Sequence, residues 1–162
     1  MSDSNTMAGR RSVYRVRVGY VDTDQAQVVH HSTYFRWLEQ ARVELLREGG
    51  LEYRSWEAAT RLGLPLVDAS IRYVQPCRFD DIVIVETHIG ALARTALRFD
   101  STMTIEGRNG TIVTQAQIRL ACVHLETGPR RVPEEVLRAC GGEDYASKLV
   151  RHAQTRLTLA SS

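Results

Sequence analysis

The stretch Tyr20-Val21-Asp22-Thr23-Asp24-Gln25-Ala26-Gln27-Val28-Val29-His30-His31-Ser32-Thr33-Tyr34 is where the periodicity of this chain changes. Before it, Tyr14, Val16, Val18 and Tyr20 alternate with Arg15 and Arg17, which predicts a half-buried strand over residues 13–21. After it, Tyr34, Leu38, Ala41 and Leu45 fall at helical spacing, flanked by Phe35, Trp37 and Leu46, and predict a helix from Thr33 to Glu48. Ser32 is a candidate N-cap and Gly49-Gly50 a stop. Apolar residues cover much of the helix girth, so it belongs in the core. The turn carries two carboxylates, Asp22 and Asp24. A turn of this kind can aim a carboxylate at the same point as the unsatisfied N–H groups of a helix start, which carry about half a positive elementary charge. Hydrolysis of a carbonyl compound needs that pairing: a nucleophile or base beside a site that welcomes negative charge.

The rest of the chain reads mostly as strands. A short helix over residues 55–62 ends at Gly63. Residues 67–74 precede Pro76, and residues 82–89 are apolar at both parities in their first half, as in a central strand. In residues 93–106, Leu97, Phe99, Met103 and Ile105 alternate with Arg94, Arg98, Asp100 and Thr104. Asn109-Gly110 is a hairpin signal. Residues 111–125 place Ile112, Ala116, Ile118, Leu120 and Cys122 on one face. A short helix is expected over residues 133–139 and an amphipathic one over residues 145–157. One long buried helix followed by antiparallel strands is an α+β layer, and nothing splits the chain into two domains.

Composition narrows the function. The 162 residues suffice for one core. A formal net charge of +2, with no Lys/Arg run, argues against nucleic acid as partner. Of the 21 basic side chains, Lys148 is the only lysine. Cys77, Cys122 and Cys140 are far apart and show no metal-ligand spacing, as in a reduced protein with buried thiols. No apolar run approaches the roughly 18 residues of a membrane span. Residues 1–11 are polar, lack a signal-peptide core and read as a disordered leader. These features point to the cytoplasm.

Three segments, in order, resemble a known family. The first is Tyr20-x-Asp22-Thr23-Asp24-x-x-x-Val28-Val29-x-His31-x-x-Tyr34, continued by Leu38-Glu39-x-Ala41-Arg42-x-Glu44. The second is Tyr73-Val74-Gln75-Pro76-Cys77-Arg78-Phe79-Asp80-Asp81, and the third runs from Cys122-Val123-His124-Leu125-Glu126-Thr127-Gly128 to Pro133. Over residues 13–139 the chain resembles the hot-dog acyl-CoA thioesterases of the 4-hydroxybenzoyl-CoA thioesterase type, including those associated with the Tol-Pal system. The resemblance implies one hot-dog domain over residues 12–140, a long central helix wrapped by about five antiparallel strands. Residues 141–162 are then a C-terminal extension, expected to be helical.

It also implies site residues. Asp24 takes the place of the catalytic carboxylate, which attacks the thioester or activates water. The His31 N–H takes the place of the oxyanion donor. The His31 side chain has two readings, substrate contact or plain structure. Tyr20 lies on the apolar strand face, where it is either core or a hydroxyl within reach of the site. Asp22 is the better candidate for a plain turn or helix cap. Glu39 matches a position where some relatives carry a functional carboxylate, and reads here mainly as a buried, paired acid. Arg94 matches a position that contacts CoA phosphates in relatives, or is a solvated strand-face arginine. Gln27 stands where relatives usually have Gly, a residue that permits a left-handed backbone or close approach of substrate. A bulky amide there could narrow the acyl pocket or donate a hydrogen bond.

The expected activity is hydrolysis of an acyl-CoA to a carboxylic acid and free CoA. No metal or redox cofactor is implied; CoA is part of the substrate. The alternatives are a thioesterase for carrier-protein-bound acyl groups and a non-catalytic acyl-CoA binder. The resemblance further implies a homodimer or homotetramer.

Overall fold

The protein is described here by a computed structural model over residues 9–141. Eight strands and three α-helices follow one another: β1 (Arg11–Arg17), α1 (Thr33–Glu48), α2 (Tyr53–Thr60), β2 (Leu62–Gly63), β3 (Leu66–Tyr73), β4 (Ile82–Leu92), β5 (Ala96–Ile105), β6 (Ile112–Ala121), β7 (Val123–His124), β8 (Gly128–Pro129) and α3 (Glu134–Gly141). Five of the strands form one antiparallel sheet in the order β1-β4-β5-β6-β3; β2, β7 and β8 form a small second sheet. The sheet laps around α1, in agreement with the expected α+β hot-dog arrangement.

Burial of α1 organises the core. Tyr34, Trp37, Leu38, Ala41, Leu45 and Leu46 are all buried, on the stripe that helical periodicity defines. They meet Val83, Val85, Leu97, Phe99, Met103, Ile118 and Leu120 from the inner face of the sheet. The helix ends at Gly49, as expected. A Cβ on Gly49 would lie 2.1 Å from the Ala139 carbonyl oxygen, so only glycine lets α3 pack this close. Gly50 follows in a left-handed conformation at φ 89°.

Several boundaries differ from the sequence reading. The strand expected to reach residue 21 stops at Arg17, opposite Ile82, the first residue of β4. Beyond it Tyr20–Asp22 forms a 3-10 turn. The folded body includes Arg11 in β1, and the Arg10 N–H donates to the Cys140 carbonyl at 2.7 Å, so residues 10 and 11 are ordered parts of the domain rather than of a leader. The short helix is Tyr53–Thr60 rather than residues 55–62, because Glu52 caps it and Arg61 leaves it in a left-handed conformation. Ile112 is exposed. The register skips Val113 between the Met103–Thr114 and Thr104–Ile112 pairs, and this bulge reverses the parity of Ile112. The helix expected over residues 145–157 lies outside the described residues. Asn109 and Gly110 both have positive φ, as the hairpin signal predicted.

Leu45 is fully buried at the centre of the α1 stripe. Leu45→Ala is expected to lower the stability by about 2–5 kcal/mol in urea unfolding. A loss under about 1 kcal/mol would mean that α1 does not organise the core.

Candidate functional site

The sequence between β1 and α1 folds as a closed loop. An antiparallel bridge pairs Thr23 with Val29. Inside it the Asp24 N–H donates to the Val28 carbonyl and the Gln27 N–H to the Asp24 carbonyl, both at 2.9 Å. The Asp24 carboxylate accepts a hydrogen bond from the Ala26 N–H through Oδ1 at 2.8 Å, an Asx turn. Its Oδ2 has no hydrogen-bond partner among the described residues, and the side chain is exposed. One oxygen is therefore anchored and the other is left for chemistry.

Gln27 closes the loop with φ 60°. This is the left-handed region that glycine occupies without strain, which accounts for the glycine usual at this position. Its carbonyl faces the Arg78 guanidinium at 3.4 Å.

Asp22 is a buried brace. Its Oδ2 accepts from the Gly19 N–H at 2.8 Å and its Oδ1 pairs with Arg36 of α1. Its main-chain carbonyl accepts from the His30 N–H at 2.8 Å. Asp22 thus ties the turn to α1, the role expected of the first acid, while Asp24 is the one facing solvent. On the other side the Val29 N–H donates to the Cys77 carbonyl at 2.9 Å. The Cys77 thiol sits beside the buried Tyr34 hydroxyl; burial pushes the thiol up to about 11 and raises the phenol, so both stay neutral at pH 7.

The helix start lacks its expected cap. Ser32 has helical backbone angles and makes no capping bond. Its Oγ lies 2.7 Å from His30 Nδ1 instead. The His31 N–H has no hydrogen-bond partner among the described residues, and the His31 side chain is exposed, its ring 4.1 Å from that of His30. Asp24 lies inside the loop that the Thr23–Val29 bridge closes, and His31 two residues beyond Val29, at the entry to α1.

The remaining candidates sit elsewhere. Tyr20 is not on the buried strand face: it is 78% exposed, with its ring stacked on Phe79 at 3.9 Å. Glu39 is exposed, not buried, and makes no close ion pair among the described residues; its charge acts on the half-buried Arg42, one turn further along α1. Desolvation lowers the Arg42 pKa from its usual value. Arg94 is not on a strand face but exposed in the β4–β5 turn. The Asp24 loop lies at the other end of β4, roughly 30 Å away at 3.3 Å per residue. A single chain therefore does not bring Arg94 to Asp24. A shallow concavity of about 340 Å³, lined by Ser70, Arg72, Asp100, Thr102, Gln115 and Gln117, holds none of the candidates. Among the described residues no group of three or more His, Cys, Asp or Glu side chains could hold a metal ion, and no helix is long and apolar enough to cross a membrane.

The reading from sequence also passed over Tyr73, whose hydroxyl donates to the His31 carbonyl at 2.9 Å. The partners are 42 residues apart, and no local pattern could have paired them.

A long helix lapped by this five-stranded antiparallel sheet, with a carboxylate loop at the helix start, defines a hot-dog domain of the thioesterase kind. The sequence model of the thioesterase-like superfamily matches residues 17–140, and the chain belongs to that superfamily. It is 32% identical over 123 residues to the acyl-CoA thioester hydrolase YbgC of Escherichia coli, covering 75% of this chain and 90% of that protein. A hypothetical protein from Thermus thermophilus has a solved structure that superposes with a TM-score of 0.72 at 35% identity, covering 80% of this chain and 96% of that one. A 1,4-dihydroxy-2-naphthoyl-CoA thioesterase from Synechocystis shares the fold, with a TM-score of 0.74 at 23% identity over 81% of this chain and 96% of that one.

The strain at Gln27 yields a prediction. Gln27→Gly is expected to stabilise the protein by about 0.5–1 kcal/mol, the left-handed penalty less the added freedom of the unfolded chain. A lower melting temperature for the variant would show that the Gln27 side chain makes a compensating contact.

Proposed function

We propose that this protein hydrolyses acyl-CoA thioesters to a carboxylic acid and free CoA, with Asp24 as nucleophile or general base and the His31 N–H as oxyanion donor. The observation that carries the reading is the unpaired Asp24 Oδ2 on the same bridged loop that leads to the unpartnered His31 N–H at the start of α1. The carboxylate either attacks the carbonyl carbon, giving a mixed anhydride that water then cleaves, or takes a proton from an attacking water. In both routes the C–S bond breaks, CoA thiolate leaves and takes a proton, and the carbonyl oxygen carries the charge that the helix start stabilises. A thiolate is a fair leaving group, so the chemistry asks for no strong general acid and no metal or redox cofactor.

The same placement supports a homodimer. Asp24 and His31 are exposed in the single chain, and β3 pairs with β6 on one side only while exposing Leu66 and Val67. An unpaired apolar edge of this kind is a natural place for a second copy, whose surface would then wall the acyl pocket. Free CoA esters and three buried free thiols suit the cytoplasm.

The primary test is thiol release over short, long and aromatic acyl-CoAs, with matched carrier-protein esters as competitors. Asp24→Asn keeps an acceptor for the Ala26 N–H and is expected to lower kcat by roughly 100-fold or more, while EDTA leaves the wild-type rate unchanged. Undiminished turnover in Asp24→Asn, or binding of acyl-CoAs with no hydrolysis by the wild type, would contradict the proposal. Light scattering should give at least twice the mass of one chain; a monomer at working concentration would remove the shared pocket.

A further inference from the structure

The first turn of α1 is wound as a 3-10 turn. The Thr33 N–H donates to the His30 carbonyl at 2.9 Å and the Phe35 N–H to the Ser32 carbonyl at 3.2 Å, both three residues back. The His31 carbonyl lies one residue before the Ser32 cap position, so the hydrogen-bond ladder of α1 does not engage it. Here that carbonyl is bound by the Tyr73 hydroxyl, at 2.9 Å. Tyr73 is the last residue of the edge strand β3 and is about half exposed. Its ring is held edge-on against the buried Tyr34, centroids 5.2 Å apart at 76°. Tyr34 in turn packs edge-on against Trp37 within α1. The hydroxyl is therefore aimed by the core, not by chance on the surface. Burial raises the Tyr73 pKa above its ordinary value, so the phenol remains a donor across the neutral range.

The same short segment is held from the turn side. The Asp22 carbonyl accepts the His30 N–H, and the His30 ring accepts the Ser32 N–H at 3.3 Å. The two flanking residues are thereby tied down through their N–H groups and His31 through its carbonyl. The one N–H left over is that of His31.

We infer that Tyr73 is a positioning residue of the hydrolytic site: its hydroxyl, by fixing the His31 carbonyl just before the start of α1, holds the His31 backbone so that its N–H meets the thioester oxygen. This rests on the reading of the His31 N–H as oxyanion donor. It also links the donor to the edge strand β3, so the strand proposed to meet a second copy also sets the geometry of catalysis.

Tyr73→Phe removes one oxygen and leaves the ring contacts with Tyr34. A donor misplaced by a fraction of an ångström costs rate without costing ground-state binding, so kcat is expected to fall about tenfold or more with KM within about twofold. The melting temperature should stay within about 5 °C of the wild type. The His31 amide resonance should move, a readout independent of turnover. Tyr14→Phe is the control, since the Tyr14 hydroxyl donates to Gln40 Oε1 at 2.9 Å, outside the loop; it should leave kcat unchanged. The inference is overturned if Tyr73→Phe keeps its kcat, if only KM rises, if Tyr14→Phe loses as much, or if the His31 resonance does not move. An active wild type that is disabled by Asp24→Asn but not by Tyr73→Phe overturns this inference alone. A wild type that releases no thiol from any ester overturns the proposed function as well.

Discussion

The apolar stripe of α1 has to be removed from water, and everything else in this domain follows from how that is done. Tyr34, Trp37, Leu38, Leu45 and Leu46 on that stripe are all buried, while Arg36, Glu39 and Gln40 on the opposite face stay exposed. A curved sheet covers the stripe. In β5 and β6 mostly apolar buried residues alternate with polar outward ones, so this part of the sheet presents an apolar face inward and a polar face to its surroundings. At roughly 25 cal/mol per Å² of apolar surface removed from water, these contacts supply the dominant favourable contribution to stability. Helix α3 closes the far end through the glycine at which α1 stops.

Once α1 is seated, its first turn has a defined place beside the ends of β3 and β4, and the chain must enter it from β1 through a short connection. That connection carries Asp22 and Asp24. Many of its polar groups are satisfied internally, by the Thr23–Val29 bridge, by the Asx turn at Asp24 and by the buried Asp22, which takes up the Gly19 N–H, Arg36 and the His30 N–H. Among the groups without a partner in the described residues are one oxygen of Asp24, inside the bridged loop, and the N–H of His31, just beyond it. The left-handed Gln27 shows that the loop is held in shape against local preference, because the surrounding bonds outweigh about 1–2 kcal/mol of backbone strain.

Much of this was legible in the linear sequence. The bounds of α1, its buried stripe, the glycine stop, the Asn109-Gly110 hairpin and the alternation in β5 all come from residues a few positions apart, and these agree with the structure. The structural part of Asp22 was legible too, since a turn acid of this kind serves as a brace or cap. The misreadings share a cause. Tyr20 continued an alternation that the chain had already abandoned, because β1 ends where its partner β4 begins. Ile112 kept a parity that a bulge at Val113 reversed. Glu39 looked paired from its position on the helix, but its partners depend on what lies across from that face. Arg94 was placed on a strand that starts two residues later.

By itself the sequence determined the class of fold, because hydrophobic periodicity and turn chemistry act over short stretches of chain, and its motifs carried the resemblance to the family. Only the tertiary structure decided which groups meet. The Tyr73 hydroxyl on the His31 carbonyl, the brace from Asp22 to Arg36, the exposure of Tyr20 and the separation of Arg94 from Asp24 are all consequences of strands and helix coming together from distant parts of the chain. A hydrogen bond of under 3 Å depends on the position of both partners to within a few tenths of an ångström. No local pattern specifies such a distance; it is set when the sheet closes on α1.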